Sequence, residues 1–254
     1  MNFVFDIDGT ICFDGKTIDE SIIEALNELV SAKYEVIFAS ARPVRDLLPV
    51  LPEQFRQGRL IGGNGAFTYS NGEIQVSYFD EALQEKLVSL VQSHELAYLA
   101  DSDWDYSYTG DQAHPIFKNI NKSQAKNRSL KDLNKICKLV LFQPKQEVIN
   151  ELMNLPVSVT NYKGENAIDI SPLGINKVKG LQNLNINPFI AFGNDSNDQC
   201  LFESAAYSVC VGNHDVSRYA TQKIARADVA ATIRKLIRDL GEIKNANTSK
   251  IETR

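Results

Sequence analysis

Short apolar runs recur near both ends of the chain, and polar residues or glycine follow each of them. The runs are FVF (3–5), EVIFAS (35–40), AIDIS (167–171), FIAFG (189–193) and YSVCVG (207–212). Between the first two, apolar residues at helical spacing predict a helix that begins at a capping box formed by Thr17 and Glu20 and ends near Lys33. Buried strands that alternate with helices predict right-handed crossovers and a parallel sheet. The fold class predicted for these runs is α/β, a Rossmann-like, doubly wound parallel sheet.

The middle of the chain has a different pattern. Period-two stretches such as KLVLFQP (138–144) are interleaved with helical ones such as DEALQEKLVSLVQSHE (80–95). This mixture predicts an α+β cap with its own antiparallel sheet, inserted into the first domain. The predicted boundaries are a discontinuous core domain of residues 1–72 and 162–254, and a cap domain of residues 73–161.

Composition narrows the functional classes. The net charge is −5, from 27 basic and 32 acidic residues, so no overall positive field attracts nucleic acid or an anionic membrane. The cysteines lack the paired spacings of a zinc site; they are Cys12, Cys137, Cys200 and Cys210. The start MNFVFDIDGT has no basic n-region, and no apolar run approaches the ~20 residues of a membrane span. We expect a reduced cytoplasmic protein, a monomer or homodimer, without a leader.

The sharpest chemical signal is the DIDGT segment directly after the first predicted strand. Asp6 and Asp8 lie two residues apart, which places both side chains on the same side of an extended chain. Gly9 then allows a sharp turn, and Thr10 adds a hydroxyl. Because two close carboxylates repel each other, a divalent cation is the simplest way to keep both ionised at neutral pH.

With three further segments, DIDGT resembles the motifs of the haloacid dehalogenase superfamily of phosphohydrolases. The further segments are SARP (40–43), GINKVKG (174–180) and GNDSND (193–198). IGGNGA (61–66) and VGNHDV (211–216) resemble segments of the Cof-like branch, whose members carry a large α/β cap between the second and third motifs. The resemblance spans nearly the whole chain.

The resemblance assigns the catalytic roles. It implies that Asp6 attacks phosphorus to form an aspartyl phosphate, and that Asp8 protonates the leaving oxygen and later activates water. Ser40 is expected to bind the transferring phosphoryl group, and a lysine to neutralise its charge. Lys177 fits the motif, whereas Lys179 would point elsewhere on the helix. The predicted substrate-binding residues are Thr10, Arg42, Asn64 and Asn197.

The acidic loop departs from the family pattern, because Asn194 stands where relatives have the aspartate that binds Mg²⁺. An amide oxygen still binds a hard cation, but without the charge. Asp195 is adjacent and Asp198 matches the motif, so which of the three contacts the ion stays open. The predicted metal ligands are Asp6, Asp8, Asn194, Asp195 and Asp198, and the predicted cofactor is Mg²⁺.

The expected function is a Mg²⁺-dependent phosphatase of small phosphorylated metabolites, above all sugar phosphates. Aromatic and basic residues of the cap are candidates to contact the leaving group; they are Trp104, Tyr106, Tyr108, His114 and Lys118. Two alternatives remain open at this point. One is a phosphomutase of the same fold, and the other, suggested by Asn194, is a catalytically weak regulatory protein that binds a phosphorylated ligand.

Overall fold

The chain folds around two β-sheets, which the computed structural model describes over residues 1–162 and 166–252. The strands in chain order are β1 (Asn2–Phe5), β2 (Glu35–Ala39), β3 (Leu60–Gly62), β4 (Phe67–Ser70), β5 (Glu73–Val76), β6 (Ala97–Asp101), β7 (Tyr106–Tyr108), β8 (Lys138–Phe142), β9 (Val157–Tyr162), β10 (Ala167–Pro172), β11 (Phe189–Gly193), β12 (Tyr207–Val211) and β13 (Gln222–Ile224). The α-helices are α1 (Glu20–Ser31), α2 (Val44–Leu47), α3 (Glu81–Ser93), α4 (Pro115–Asn119), α5 (Gln146–Leu152), α6 (Lys177–Asn183), α7 (Gln199–Ser204) and α8 (Val229–Glu252).

The larger sheet, called the core sheet, has the strand order β13-β12-β11-β1-β2-β3-β4-β5. The pairs from β13 to β3 are parallel, and β4 and β5 add an antiparallel edge. In this order β1 lies between β2 and β11, so the chain crosses to opposite sides of its first strand. The carboxyl ends of these three strands therefore meet where a doubly wound sheet opens a crevice for a ligand.

Both faces of the core sheet are buried, as continuous apolar runs predict for parallel strands. Phe3 and Phe5 of β1 pack on one face with Leu26 of α1, while Val4 packs on the other face with Leu181 of α6. All five side chains are essentially inaccessible to solvent. Burial of a side chain of this size contributes about 1.5–3 kcal/mol, so the central strands form a rigid support for the loops that follow them.

Helix α1 begins later than predicted. Its N-cap residue is Asp19, and the predicted capping box of Thr17 and Glu20 is absent. Asp14 binds Thr17 instead, because its carboxylate accepts the Thr17 hydroxyl at 2.8 Å and also the backbone N–H groups of Lys16 and Thr17. The loop after DIDGT is thus closed by an aspartate, and the helix follows it.

The smaller sheet, called the cap sheet, has the order β7-β6-β8-β10-β9, and its pairs are antiparallel. The prediction that residues 167–171 form a core strand is wrong, because β10 pairs with β8 and β9. Ile168 and Ile170 face the cluster of apolar side chains under the cap sheet, whereas Asp169 faces the opposite side. That alternation is typical of an antiparallel strand with two different faces.

Sheet membership also moves the predicted domain boundaries. Strand β5 (Glu73–Val76) belongs to the core sheet, although residue 73 was the predicted start of the cap. Strand β10 extends the cap sheet to Pro172, beyond the predicted end at residue 161. The inserted α+β segment with an antiparallel sheet is confirmed, but it runs from after Val76 to Pro172. Within the described residues, none of the helices has the length and apolar character needed to cross a membrane.

Candidate active site

A cavity of about 270 Å³ lies between the carboxyl ends of the core strands and the cap sheet. From the core side it is lined by Asp6, Asp8, Ala41, Arg42, Pro43, Asp46, Asn194, Asp195 and Asn197. From the inserted segment it is lined by Leu99, Asp101, Ile116, Asn119, Ile120, Lys138 and Val140. Six of the predicted site residues thus meet in one cavity, although up to 191 positions separate them in the chain.

Asp6 lies directly after β1, with both carboxylate oxygens occupied. Oδ1 accepts a hydrogen bond from Lys177 Nζ at 2.6 Å, and Oδ2 accepts one from the Thr10 hydroxyl at 2.9 Å. Gly9 makes the turn back possible, because its φ of +79° favours glycine and an added Cβ would lie 2.3 Å from the Asn194 amide. Thr10 is fully buried, so it orients Asp6 from behind and does not line the cavity.

Lys177 is the first residue of α6, and its side chain is completely buried. Its ammonium group also donates to Asp198 Oδ1 at 2.6 Å. Asn176 caps the helix by accepting from the backbone N–H of Lys179 at 2.9 Å, and the Lys179 side chain is exposed. The predicted choice between the two lysines is therefore settled by position, since only Lys177 reaches the site.

One cation serves two buried carboxylates, and the pKa values reflect this imbalance. Burial raises the pKa of Asp6 to about 7; the Asp198 carboxylate adds to the rise and Lys177 opposes it. Burial acts to lower the pKa of Lys177, but Asp198 and Asp6 outweigh it, so that pKa lies above its ordinary value. The lysine therefore stays charged. Without a bound metal, Asp6 takes up a proton at a higher pH than an ordinary aspartate does.

Asp8 points into the cavity, and Arg42 holds it in place. Arg42 donates from Nε to Asp8 Oδ2 at 2.8 Å and from Nη2 to Oδ1 at 2.5 Å, and Nη2 also binds the Gly15 carbonyl at 2.8 Å. A bidentate pair of this kind fixes the orientation of a carboxylate as well as its charge. The Asp8 side chain remains 45% exposed, so it is accessible to a ligand.

Asp198, one of the predicted metal ligands, has both carboxylate oxygens bonded within the protein and does not line the cavity. Oδ1 accepts from Lys177, and Oδ2 accepts from the backbone N–H groups of Asn194 and Asp195 at 2.8 and 3.1 Å. The side chain is fully buried and packs against Gly193, where an added Cβ would lie 2.6 Å from Asp198 Cγ. Asp198 therefore anchors Lys177 and the loop.

Asp195 and Asn197 lie on the same loop. The exposed Asp195 side chain lines the cavity and accepts from the backbone N–H of Ser196 at 2.6 Å. Asn197 donates to Asn64 Oδ1 at 3.0 Å, and Asn64 in turn donates to Asp169 Oδ2 at 2.8 Å. Asn64 is outside the cavity lining, so its contacts fit the ordering of the loop better than the predicted contact with substrate.

The oxygen atoms around Asn194 fit a hard cation. Asp6 Oδ2, the Asp8 carbonyl oxygen and the terminal amide of Asn194 lie together, with the amide 3.1 and 3.0 Å from the two oxygens. With the amide oxygen turned inward, these three groups form the all-oxygen set that Mg²⁺ prefers. Among the described residues, no three His, Cys, Asp or Glu side chains are grouped to hold a metal ion.

Ser40 directly follows β2, the strand next to β1 in the core sheet. Its hydroxyl accepts the backbone N–H of Arg42 at 3.1 Å, and its carbonyl accepts that of Asn64 at 3.0 Å. The side chain is 1% exposed and does not line the cavity in this structure. Ser40 thus joins the loops that carry Arg42 and Asn64.

Sequence reasoning missed the residues that the cap sheet presents to the cavity. Leu99 pairs with Val140 and Asp101 pairs with Lys138 across β6 and β8, and all four side chains line the cavity. The cap candidates Trp104, Tyr106, Tyr108, His114 and Lys118 are not among its lining residues, and the two tyrosines pack in an apolar cluster. The sequence contained a signal for two of these residues, because Asp101 and Lys138 are charged residues within otherwise apolar, buried strands.

One buried ion pair and one hydrogen bond from a buried lysine join the cap sheet to the core. Arg45 of α2 binds Asp101 at 2.5 Å, and both side chains are at most 1% exposed. Lys138 donates to the Ala41 carbonyl at 2.7 Å and pairs with Asp169 at 3.1 Å. Charged side chains that are shielded from water therefore link the two sides of the cavity. Buried contacts of this kind hold a defined geometry.

The family model of haloacid dehalogenase-like hydrolases matches residues 3–227, and the chain belongs to this family. The predicted Cof-like relationship and the predicted enzyme class, a phosphoric monoester hydrolase, are confirmed by the comparisons.

Individual proteins are similar over most of the chain. The 5-amino-6-(5-phospho-D-ribitylamino)uracil phosphatase YitU of Bacillus subtilis is 25% identical over 82% of this chain and 85% of its own length. The HMP-PP phosphatase of Serratia proteamaculans is 23% identical over 82% of each chain. A sugar phosphatase of HAD subclass IIB shares the fold, with a TM-score of 0.77, 20% identity and coverage of 92% of this chain and 98% of the other. A haloacid dehalogenase-like hydrolase from B. subtilis aligns with the same TM-score and coverage at 16% identity.

Proposed function

We propose that the protein is a Mg²⁺-dependent phosphatase that hydrolyses small phosphorylated metabolites through a phosphorylated Asp6. The observation that best supports this proposal is the arrangement of the two aspartates. Asp6 is held from behind by Lys177 and Thr10, while Asp8 is oriented by Arg42 at the same cavity. A nucleophile and a separately held acid at one cavity are what cleavage of a phosphate ester requires.

In the proposed reaction, a carboxylate oxygen of Asp6 forms a bond to phosphorus as the bond to the ester oxygen breaks. Asp8 gives its proton to that leaving oxygen, which an alcohol needs because an alkoxide is a poor leaving group. Asp8 then takes a proton from water as the water attacks the phosphorylated Asp6, which releases phosphate. Lys177 keeps its positive charge beside the reacting carboxylate throughout, since two carboxylates hold its pKa high.

The metal of the proposed reaction would be held by Asp6, the Asp8 carbonyl and Asn194. When bound there, Mg²⁺ supplies positive charge against the phosphoryl oxygens. The side chains of Arg42 and Lys177 balance the carboxylates of Asp8, Asp6 and Asp198 independently of the ion.

The leaving group would lie against the cap sheet. The cavity combines aliphatic side chains such as Leu99 and Val140 with the charged pair Asp101 and Lys138, within about 270 Å³. That volume suits a compact molecule, and a mixed polar and apolar wall suits one that carries hydroxyl groups on a carbon frame. The similarity to a 5-amino-6-(5-phospho-D-ribitylamino)uracil phosphatase and to a sugar phosphatase supports sugar phosphates as the substrate class.

The test is hydrolysis of p-nitrophenyl phosphate by the purified protein with Mg²⁺, followed by a screen of phosphorylated metabolites. Asp6→Asn should abolish turnover, since an amide does not attack phosphorus. Asp228→Asn is the matched control, because Asp228 is exposed and does not line the cavity. Absence of turnover with any divalent metal would contradict the phosphatase and favour a protein that only binds a phosphorylated ligand.

The phosphomutase alternative needs a different readout. Hexose monophosphates are incubated with the protein, and released phosphate is measured alongside conversion between isomers. A phosphatase releases phosphate without isomer conversion, whereas a mutase returns the phosphoryl group to the sugar.

A further inference from the structure

The side chain of Asn194 occupies a confined position among oxygen atoms. One terminal atom of its amide lies 3.1 Å from Asp6 Oδ2, 3.0 Å from the Asp8 carbonyl oxygen and 3.1 Å from Thr10 Oγ1. The residue is 8% exposed, and the chain around it leaves no room for a side chain at Gly9. These contacts decide which end of the amide faces inward.

A carboxylate oxygen and a backbone carbonyl oxygen are acceptors only. An amide oxygen placed against them would bring acceptors together without a proton, whereas an amide nitrogen donates to both. The two N–H groups are then used by the Asp6 and Asp8 oxygens, and the Thr10 hydroxyl, 3.1 Å from the same nitrogen, keeps its own proton for Asp6 Oδ2. Hydrogen bonding is therefore satisfied with the nitrogen inward.

We propose that the Asn194 amide takes the place of the cation in the metal-free protein, and that Mg²⁺ binds only when this amide turns to present its oxygen. The amide N–H groups bind the same two oxygens that the metal would bind. Metal binding then has to break these hydrogen bonds, and the oxygen that it gains carries no charge. The metal-free site is stable by itself, and its affinity for Mg²⁺ is low.

The surrounding charges agree with this arrangement. Lys177 pairs with Asp6 and Asp198, and Arg42 pairs with Asp8, which gives two cations for three carboxylates. A carboxylate at position 194 would add a fourth anion against Asp6 and the Asp8 carbonyl, and only a bound cation would offset it. The amide avoids that requirement. The proposal rests on the proposed function only in placing Mg²⁺ at this site.

The discriminating variant is Asn194→Asp, which keeps the volume of the side chain and changes its charge and its donors. Mg²⁺ binding is measured by titration calorimetry, and thermal unfolding is followed in EDTA and in excess Mg²⁺. We expect Mg²⁺ affinity to rise about tenfold or more, because ligand charge sets the affinity of such sites. In EDTA the variant should melt below the wild type, and Mg²⁺ should raise its melting temperature more than that of the wild type.

Asn119→Asp is the matched control, because Asn119 lines the same cavity from the opposite side and the substitution adds the same charge. Asn194→Ala is the second variant; it should also melt below the wild type in EDTA, but without gaining Mg²⁺ affinity. The proposal is overturned if Asn119→Asp gains as much affinity, if wild type and Asn194→Asp bind Mg²⁺ equally, or if metal-free Asn194→Asp is as stable as the wild type. Both measurements need no substrate, so an inactive wild type would count against the proposed phosphatase alone.

Discussion

Replacement of Lys177 by methionine removes the single charge that serves two buried carboxylates. Methionine keeps most of the length of the lysine side chain but donates no hydrogen bond. Asp6 and Asp198 each lose a partner 2.6 Å away, and neither side chain is more than 7% exposed. Loss of one partner of a buried ion pair costs about 3–5 kcal/mol, because the remaining charge is left unpaired. With two carboxylates affected, we expect a loss at the upper end of that range.

Urea unfolding of the metal-free protein measures this loss. A destabilisation of that size lowers the unfolding midpoint by about 1 M or more. The loss should be smaller at pH 5 than at pH 8, because protonation of a carboxyl group removes the unpaired charge. Asp198→Asn in the Lys177→Met background should restore part of the stability, since one of the two anions is then neutral and the amide oxygen still accepts the loop N–H groups.

Lys179→Met is the control, because this lysine is on the same helix with an exposed side chain. It should change the free energy of unfolding by no more than about 0.5 kcal/mol. If Lys177→Met is no less stable than this control, or if its loss does not depend on pH, the reasoning about a buried cation shared by two carboxylates is wrong.

Three further predictions concern the turn, the nucleophile and the acid. Gly65→Ala should lower the free energy of unfolding by more than about 2 kcal/mol in urea, because φ is +104° and the new Cβ would lie 2.0 Å from the Asn176 carbonyl oxygen; unchanged stability would contradict this. The stability of the metal-free wild type relative to Asp6→Asn should be highest below pH 4 and fall up to about pH 7. The reason is that the native pKa of Asp6, about 7, lies above its ordinary value of 3.8, so the native state binds the extra proton in that window. A difference that rises with pH would have the wrong sign. Arg42→Lys should lower kcat about tenfold for an alkyl phosphate but less for p-nitrophenyl phosphate, because a lysine lacks the bidentate contact that orients Asp8 and only the alkoxide needs the acid; an equal loss on both substrates would argue against this role.

Local patterns were sufficient for the central part of the fold and for the site residues that follow its strands. The apolar runs before Asp6, Ser40 and Asn194 predicted strands of one parallel sheet, and in the core sheet all three are parallel, with β1 between β2 and β11. Residues at the carboxyl ends of such strands have to meet, so their convergence could be inferred without coordinates. Helix register similarly selected Lys177 over Lys179.

The cap was harder to predict, because its contacts with the cavity depend on strand pairing across long loops. Asp101 and Lys138 become neighbours only through the pairing of β6 with β8. The 167–171 run was assigned to the wrong sheet because a short apolar run fits either a core strand or a cap strand. The sequence did contain a signal for a cap strand, namely the alternation of apolar and polar residues around Asp169.

By itself the sequence determined the family, the enzyme class and the parallel strands that end at Asp6 and Ser40, because these follow from motifs and periodicities that are local in the chain. Tertiary structure decided how each polar group is used. Whether an aspartate faces a ligand or anchors a loop depends on its burial as well as on its hydrogen bonds. Asp198 is fully buried with both oxygens bonded, Asp8 is paired with Arg42 but 45% exposed at the cavity, and Asn194 lies against oxygen atoms from residues 6 and 8. Burial and contacts of this kind depend on distances between distant segments, and those distances exist only once the chain has folded.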